Sequence, residues 1–218
     1  QYVTQIPIRR IAFTTPEAER AALLQAGLAL FSQQEHEQLY AFVEARLAHT
    51  PEQSDVVHDL LAYLAQQMIA LKAQREEKNE DILLTLEGLL STASLQKLGR
   101  LWTPMTPLTP TNTSATEQGL VRKKQEEATA ILGSLATQQL DFPEHLGILN
   151  EEQWKWLLKR RLGGTIKNLP ALVKTYRQFQ PAIAALDSQI STTNRAIDQV
   201  TYRLYGLSQA EIATVEEK

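Results

Sequence analysis

The sequence predicts an all-α protein: a helical bundle with two long helices paired as an antiparallel coiled coil, plus a short extended N-terminal segment. Three observations carry this reading. Leu, Ala, Gln and Glu dominate, whereas Gly and Pro number nine each and aromatic residues make up 6%, a mixture that favours helices over sheets. Two long stretches carry apolar residues at alternating steps of three and four, the signature of a helix that buries one stripe against a partner. Helix-start signals recur along the chain, each with a capping side chain just ahead of an amphipathic run.

Residues 1 to 14 open the chain. QYVTQIPIRRIAF is β-branched and aromatic with a proline inside, so it reads as one extended segment or edge strand. Thr15, Pro16, Glu17 and Glu19 then give a hydroxyl cap, a proline where no donor is needed, and acids at the positive end of the dipole. This helix should run to about Phe31. Ser32 and Glu35 have capping-box spacing and should open a second helix through Leu39, Phe42, Val43 and Leu47, giving an antiparallel hairpin. Thr50 and Pro51, with Gln53 in the first turn, launch the first long helix. Its seam runs through Val57, Leu61, Leu64, Met68, Leu71, Arg75, Lys78 and Ile82. The charges at Arg75 and Lys78 predict that apolar contact thins toward that end. The helical region 15–102 closes with Leu86, Leu89, Leu90 and Trp102.

Residues 103 to 116, TPMTPLTPTNTSAT, hold three prolines, six threonines and no charge. They read as a linker or loop. The region 117–218 is helical again. One helix is expected from about Glu117 to Gln138, and a turn from Phe142 to Ile148. Asn150 and Gln153 cap an amphipathic helix with Trp154, Trp156, Leu157 and Leu158, which Gly163 and Gly164 end. Pro170 opens the next helix, and Pro181 should kink or restart it. The closing seam follows through Ile183, Leu186, Ile190, Thr193, Ile197, Val200 and Leu204. Gly206 is the expected left-handed cap, and Ser208 with Glu211 a last capping box. Val57 to Ile82 and Ile183 to Leu204 would span about 39 and about 33 Å as helices, lengths that suit a pair.

Without cysteine, disulfides, thiolate catalysis and cysteine metal sites are excluded. No run of eighteen apolar residues and no secretory leader is evident, so the reading is a cytoplasmic, non-membrane protein. The start on a strand-like segment suggests a piece of a longer polypeptide. No glycine-rich phosphate loop, nucleophile elbow or dinucleotide fingerprint occurs, and His36, His49, His58 and His145 show no metal-binding spacing. No catalytic or metal-ligating residue is therefore assigned. The acids of REEKNED, Arg75 to Asp81, read as a solvated helix face.

The net charge of −3 hides an asymmetry. From Gln153 to Leu186 there are seven bases and no acid, which leaves −10 on the rest of the chain. The bases are Lys155, Lys159, Arg160, Arg161, Lys167, Lys174 and Arg177. A local basic face on an acidic body would draw a polyanion to one place. Composition equally allows a solvated face that complements acidic neighbours. Arg9 and Arg10 sit side by side on an extended segment and point to opposite sides, so that one of them could reach nucleic acid. All nine are candidates for contact with a DNA backbone, where cations give affinity without sequence choice.

Three stretches carry a resemblance. IPIRRIAFTTPEAER resembles the end of the target-recognition region in the TaqI-like C-terminal specificity domains of type II restriction-modification enzymes. VVHDLLAYLAQQMIALK is similar to the long helix that follows there, and AIDQVTYRLYGLSQAEIATVE to the ending of many adenine-specific DNA methyltransferases of this group. The matches span about 55 residues. The resemblance implies the C-terminal, DNA-recognition or spacer portion of an N6-adenine methyltransferase or methyltransferase–endonuclease fusion. Its implied partners are double-stranded DNA and the upstream catalytic and recognition domains, and its implied cofactor, S-adenosylmethionine, belongs to those upstream domains. The family's Asn/Asp-Pro-Pro-aromatic signature and a nuclease Asp/Glu-x-Lys pattern are absent here, and the proline-threonine stretch departs from the family pattern. A structural coiled-coil scaffold or dimerisation module that binds another protein is the rival expectation.

Overall fold

The computed structural model describes residues 9–104, 115–163, 166 and 168–216, with side chains from 118 onward in the helix that opens at 115. The extended reading of residues 1–8, most of the proline-threonine stretch and the candidate Lys167 lie outside these. Among the described residues the chain is all-α apart from one short two-stranded pairing. The helices are α1 (Glu17–Ser32), α2 (His36–Leu47), α3 (Ser54–Glu87), α4 (Thr92–Leu98), α5 (Ala115–Leu132), α6 (Glu151–Leu162), α7 (Leu169–Tyr205) and α8 (Gln209–Glu216). Strands β1 (Arg100–Trp102) and β2 (Leu140–Asp141) pair antiparallel, with Arg100 opposite Asp141 and Trp102 opposite Leu140. No described helix is long and apolar enough to cross a membrane.

The chain forms two compact units, Gln1–Lys72 with Gln189–Lys218, and Ala73–Ser188. The division falls within α3 and α7, each of which gives one part to each unit. In the first unit, Leu39 and Val43 of α2, Val57, Leu60 and Leu64 of α3, and Ala196, Val200 and Leu204 of α7 share one buried apolar cluster. Leu61 and Ile197 pack against it. Burying such side chains stabilises the unit by roughly 1.5–3 kcal/mol each. Polar ties hold its rim. Thr15 donates through its amide to Asp55 Oδ2 at 2.8 Å and through its hydroxyl to Oδ1 at 2.7 Å. Gln53 bridges Glu19 and Arg46, each at 2.9 Å. Burial raises the Asp55 carboxyl, but the Thr15 and Val56 donors and the Arg20 charge outweigh it and hold the group below its ordinary value.

In the second unit the core centres on Trp154, which stacks between Phe142 at 5.5 Å and Tyr176 at 6.0 Å, ring centre to ring centre. Ile82, Leu86, Leu98, Leu101, Leu140, Leu157, Leu172 and Ile183 complete it. Tyr176 donates its hydroxyl to the Leu149 carbonyl at 2.6 Å, so the ring is buried without stranding its polar end. Asn150 and Gln153 form the expected capping box that starts α6. The two tryptophans of α6 separate as their spacing demands: Trp154 is fully buried, whereas Trp156 is half-buried.

Several expectations change. Thr15 does not cap α1; Pro16 holds that position with no side-chain bond, because the Thr15 hydroxyl is taken by Asp55. Ser32 and Glu35 form no capping box, since α1 runs through Ser32, whose hydroxyl turns back to the Ala29 carbonyl. Pro181 does not restart a helix: α7 is continuous from Leu169 to Tyr205. Its ring is exposed, and the buried Phe179 and Ile183 on either side supply packing that offsets the one lost backbone bond. Within REEKNED, Glu76, Glu77 and Glu80 are exposed, but Arg75 and Asn79 are buried. The chain also forms α4 and the β1–β2 pair, which its pattern did not announce.

Candidate nucleic-acid interface

Helix α6 carries the densest bases, and its C-terminal turn is where cations complement the negative end of the helix dipole. Lys159, Arg160 and Arg161 all lie there and are all exposed. Arg160 places its guanidinium carbon 5.1 Å from the Trp102 ring centre and 5.3 Å from that of Trp156. Two aromatic faces therefore orient it without using its hydrogen-bond donors. Arg161 donates through Nε to the Lys97 carbonyl at 3.0 Å, which holds its stem, and its terminal nitrogens bond no described residue.

A notch of about 350 Å³ opens beside these residues, lined by Leu101, Trp102, Thr103, Lys124, Arg160 and Arg161. Among the described residues, three of its walls are cations and none is a carboxylate. Strand β1 presents Trp102, whose indole N–H is anchored on the Ala136 carbonyl at 2.9 Å. Helix α5 brings Lys124. The nearby Glu127 accepts from the Trp156 indole at 3.0 Å and does not line the notch.

The remaining candidates are placed differently. Glu151, in the first turn of α6, pairs with Lys155 and takes a two-pronged bond from Arg177 at 2.6 and 2.9 Å. Arg177 first, and Lys155 second, hold the Glu151 carboxyl down to about 2. Half of the charge expected on this part of the face is thus already neutralised. Lys174 is exposed and makes no ion pair among the described residues. Arg9 and Arg10 belong to the first unit. Arg9 donates to the Leu204 carbonyl and pairs with Glu52, while Arg10 is exposed. The structure thus puts Lys159, Arg160 and Arg161 on one turn, with Arg160 and Arg161 lining one notch, and sets Lys155 and Arg177 on one carboxylate.

Two notch residues escaped the sequence reading. Lys124 sits in RKKQEE, where neighbouring acids mask the bases, and Trp102 lies beside the proline-threonine stretch. The adjacent pair Lys123–Lys124 was the available signal. The arrangement can bind an anion, because three cations line it and Arg160 is held by stacking rather than by its donors. Among the described residues, no group of three His, Asp or Glu side chains could hold a metal ion. His36, His49, His58 and His145 serve separate local contacts. Comparisons of the chain with protein-family models, with curated proteins and with solved structures found no match.

Proposed function

We propose that this chain is the non-catalytic DNA-recognition and spacer portion of a restriction-modification protein. The whole would be an adenine-N6 DNA methyltransferase or a methyltransferase–endonuclease fusion working in the cytoplasm on double-stranded DNA. The observation that carries the reading is the exposed run Lys159–Arg160–Arg161, unpaired with any carboxylate among the described residues, with Arg160 set against two tryptophans. The resemblance of the three stretches supplies the class of enzyme. No residue here is assigned to S-adenosylmethionine, because the sequence lacks the family's methyltransferase signature.

As part of the same proposal, the first half of α3 and the last half of α7 run antiparallel as a spacer. Arg9 supports this by bonding both Glu52, just ahead of α3, and the Leu204 carbonyl near the end of α7. The buried seam residues Val57, Leu64, Val200 and Leu204 satisfy one another within one chain, which counts against a dimerisation module. Light scattering distinguishes the two, since the spacer reading expects a mass that does not change with concentration.

The direct test is binding to duplex DNA at two salt concentrations, repeated with Lys159, Arg160 and Arg161 all changed to Glu. Wild type should lose affinity as salt rises, and the triple variant should bind at least about tenfold more weakly. Binding that ignores both salt and the substitutions sinks the reading.

A further inference from the structure

We infer that the notch between α5, β1 and α6 is a seat for a single phosphate group, held by Lys124, Arg160 and Arg161 against Trp102. This deepens the DNA-binding reading and rests on it for the identity of the ligand, a phosphate of the nucleic-acid backbone. Three cations line about 350 Å³ without a carboxylate among the described lining residues. Like charges that line one notch repel, and an anion between them relieves that repulsion. Several other bases of the same unit sit on carboxylates: Lys155 and Arg177 on Glu151, Arg122 on Glu126, Arg100 on Asp141. Lys97, Lys123, Lys159 and Lys174 have no ion pair among the described residues, but none of them lines the notch, where three unpaired cations share one lining.

The positions of the donors fit the ligand. Stacking on Trp102 and Trp156 leaves the planar fork of Arg160 free to meet two oxygens of one phosphate. The bond from Arg161 Nε to the Lys97 carbonyl holds that side chain while both terminal nitrogens remain available. Lys124 adds a point charge from another helix, so the seat is built from three separate elements rather than one flexible strand of bases.

The tryptophans supply the readout. Trp102 and Trp156 hold their indole N–H groups on the Ala136 carbonyl and Glu127, whereas Trp154 is fully buried in the core. Titrating the nitrogen-15-labelled chain with inorganic phosphate should shift the indole signals of Trp102 and Trp156 and leave that of Trp154 in place. Lys124→Gln and Arg161→Gln, both at exposed positions, should each weaken phosphate roughly fivefold. With duplex DNA, each should lower the slope of log affinity against log salt by up to about 0.9, the whole of one phosphate contact. If phosphate moves neither indole, or if both variants bind phosphate and DNA as wild type does, the seat is overturned. DNA binding with an unchanged slope in both variants overturns the seat while the DNA-recognition reading stands. A phosphate response at Trp102 without any duplex binding supports the seat and sinks that reading.

Discussion

Arg75 and Arg160 are both arginines on helices of the second unit, and they have opposite fates. Arg75 stands at a seam position of α3 and is buried, with every nitrogen engaged: Nε on Asp187 at 2.7 Å, Nη1 on Asn79, and Nη2 on the carbonyls of Glu144 at 2.9 Å and Pro143 at 3.3 Å. Arg160 is exposed and is held by two aromatic faces. The first side chain has four of its five donors engaged, and the second gives none of its five to a described residue. The contrast separates a charge that holds the fold from a charge that is available. A buried guanidinium is tolerated only when its donors are satisfied, whereas a stacked surface guanidinium keeps them for something else.

The contrast is broken most directly at Arg75. Arg75→Ala leaves the Asp187 carboxylate and two loop carbonyls without their donor, and should cost about 2–4 kcal/mol; the lower bound allows for Asp187, whose side chain is 31% exposed. Urea denaturation checks this, and a cost under about 1 kcal/mol would mean that the bonds contribute little. Gly147→Ala approaches the same knot from the other side. A β-carbon there would lie 2.2 Å from Asp187 Oδ2 and 3.1 Å from a methyl of Ile183. Asp187 is tethered by Arg75, so it cannot swing aside without losing that bond. The expected cost is about 1–3 kcal/mol, and most of it should vanish when Asp187 is also changed to Ala. If the double variant shows no such coupling, the tether is not what makes the site tight.

Much of this fold was legible from the sequence, and the failures share a cause. The step of three and four along α3 marked Val57, Leu64, Met68, Leu71 and Ile82, and all are buried. At Arg75 periodicity pointed inward while charge pointed outward. Periodicity prevailed because Asp187, 112 positions along the chain, supplies the counter-charge, a partner that no local window contains. Thr15 failed as a cap for the same reason: Asp55 competes for its hydroxyl from 40 residues away. The capping boxes at Asn150 and Ser208 involve only near neighbours, and both form. Strands of three and two residues are too short to show an alternating pattern. The candidate site divides likewise: the bases of α6 stand out as a cluster, whereas Lys124 and Trp102 join them only through the fold.

Glu151 offers the subtlest test, because it decides which bases of the island are available. Its folded carboxyl titrates at about 2, below its ordinary value, since Arg177 and Lys155 bond the ionised form. A carboxyl depressed in this way stays charged at every pH above that value, and its contribution is lost only as pH falls through it. Acidifying to pH 5 therefore does not release the two cations, but Glu151→Gln does. The variant should bind duplex DNA two- to fivefold more tightly at low salt, with a steeper salt dependence by up to about two phosphate contacts. The gain should be the same at pH 7 and pH 5. Its stability should change little, because surface ion pairs are weak. An affinity that falls in Glu151→Gln would mean that Lys155 and Arg177 serve DNA only when the carboxylate aims them, and the division between neutralised and available charge would then have to be redrawn.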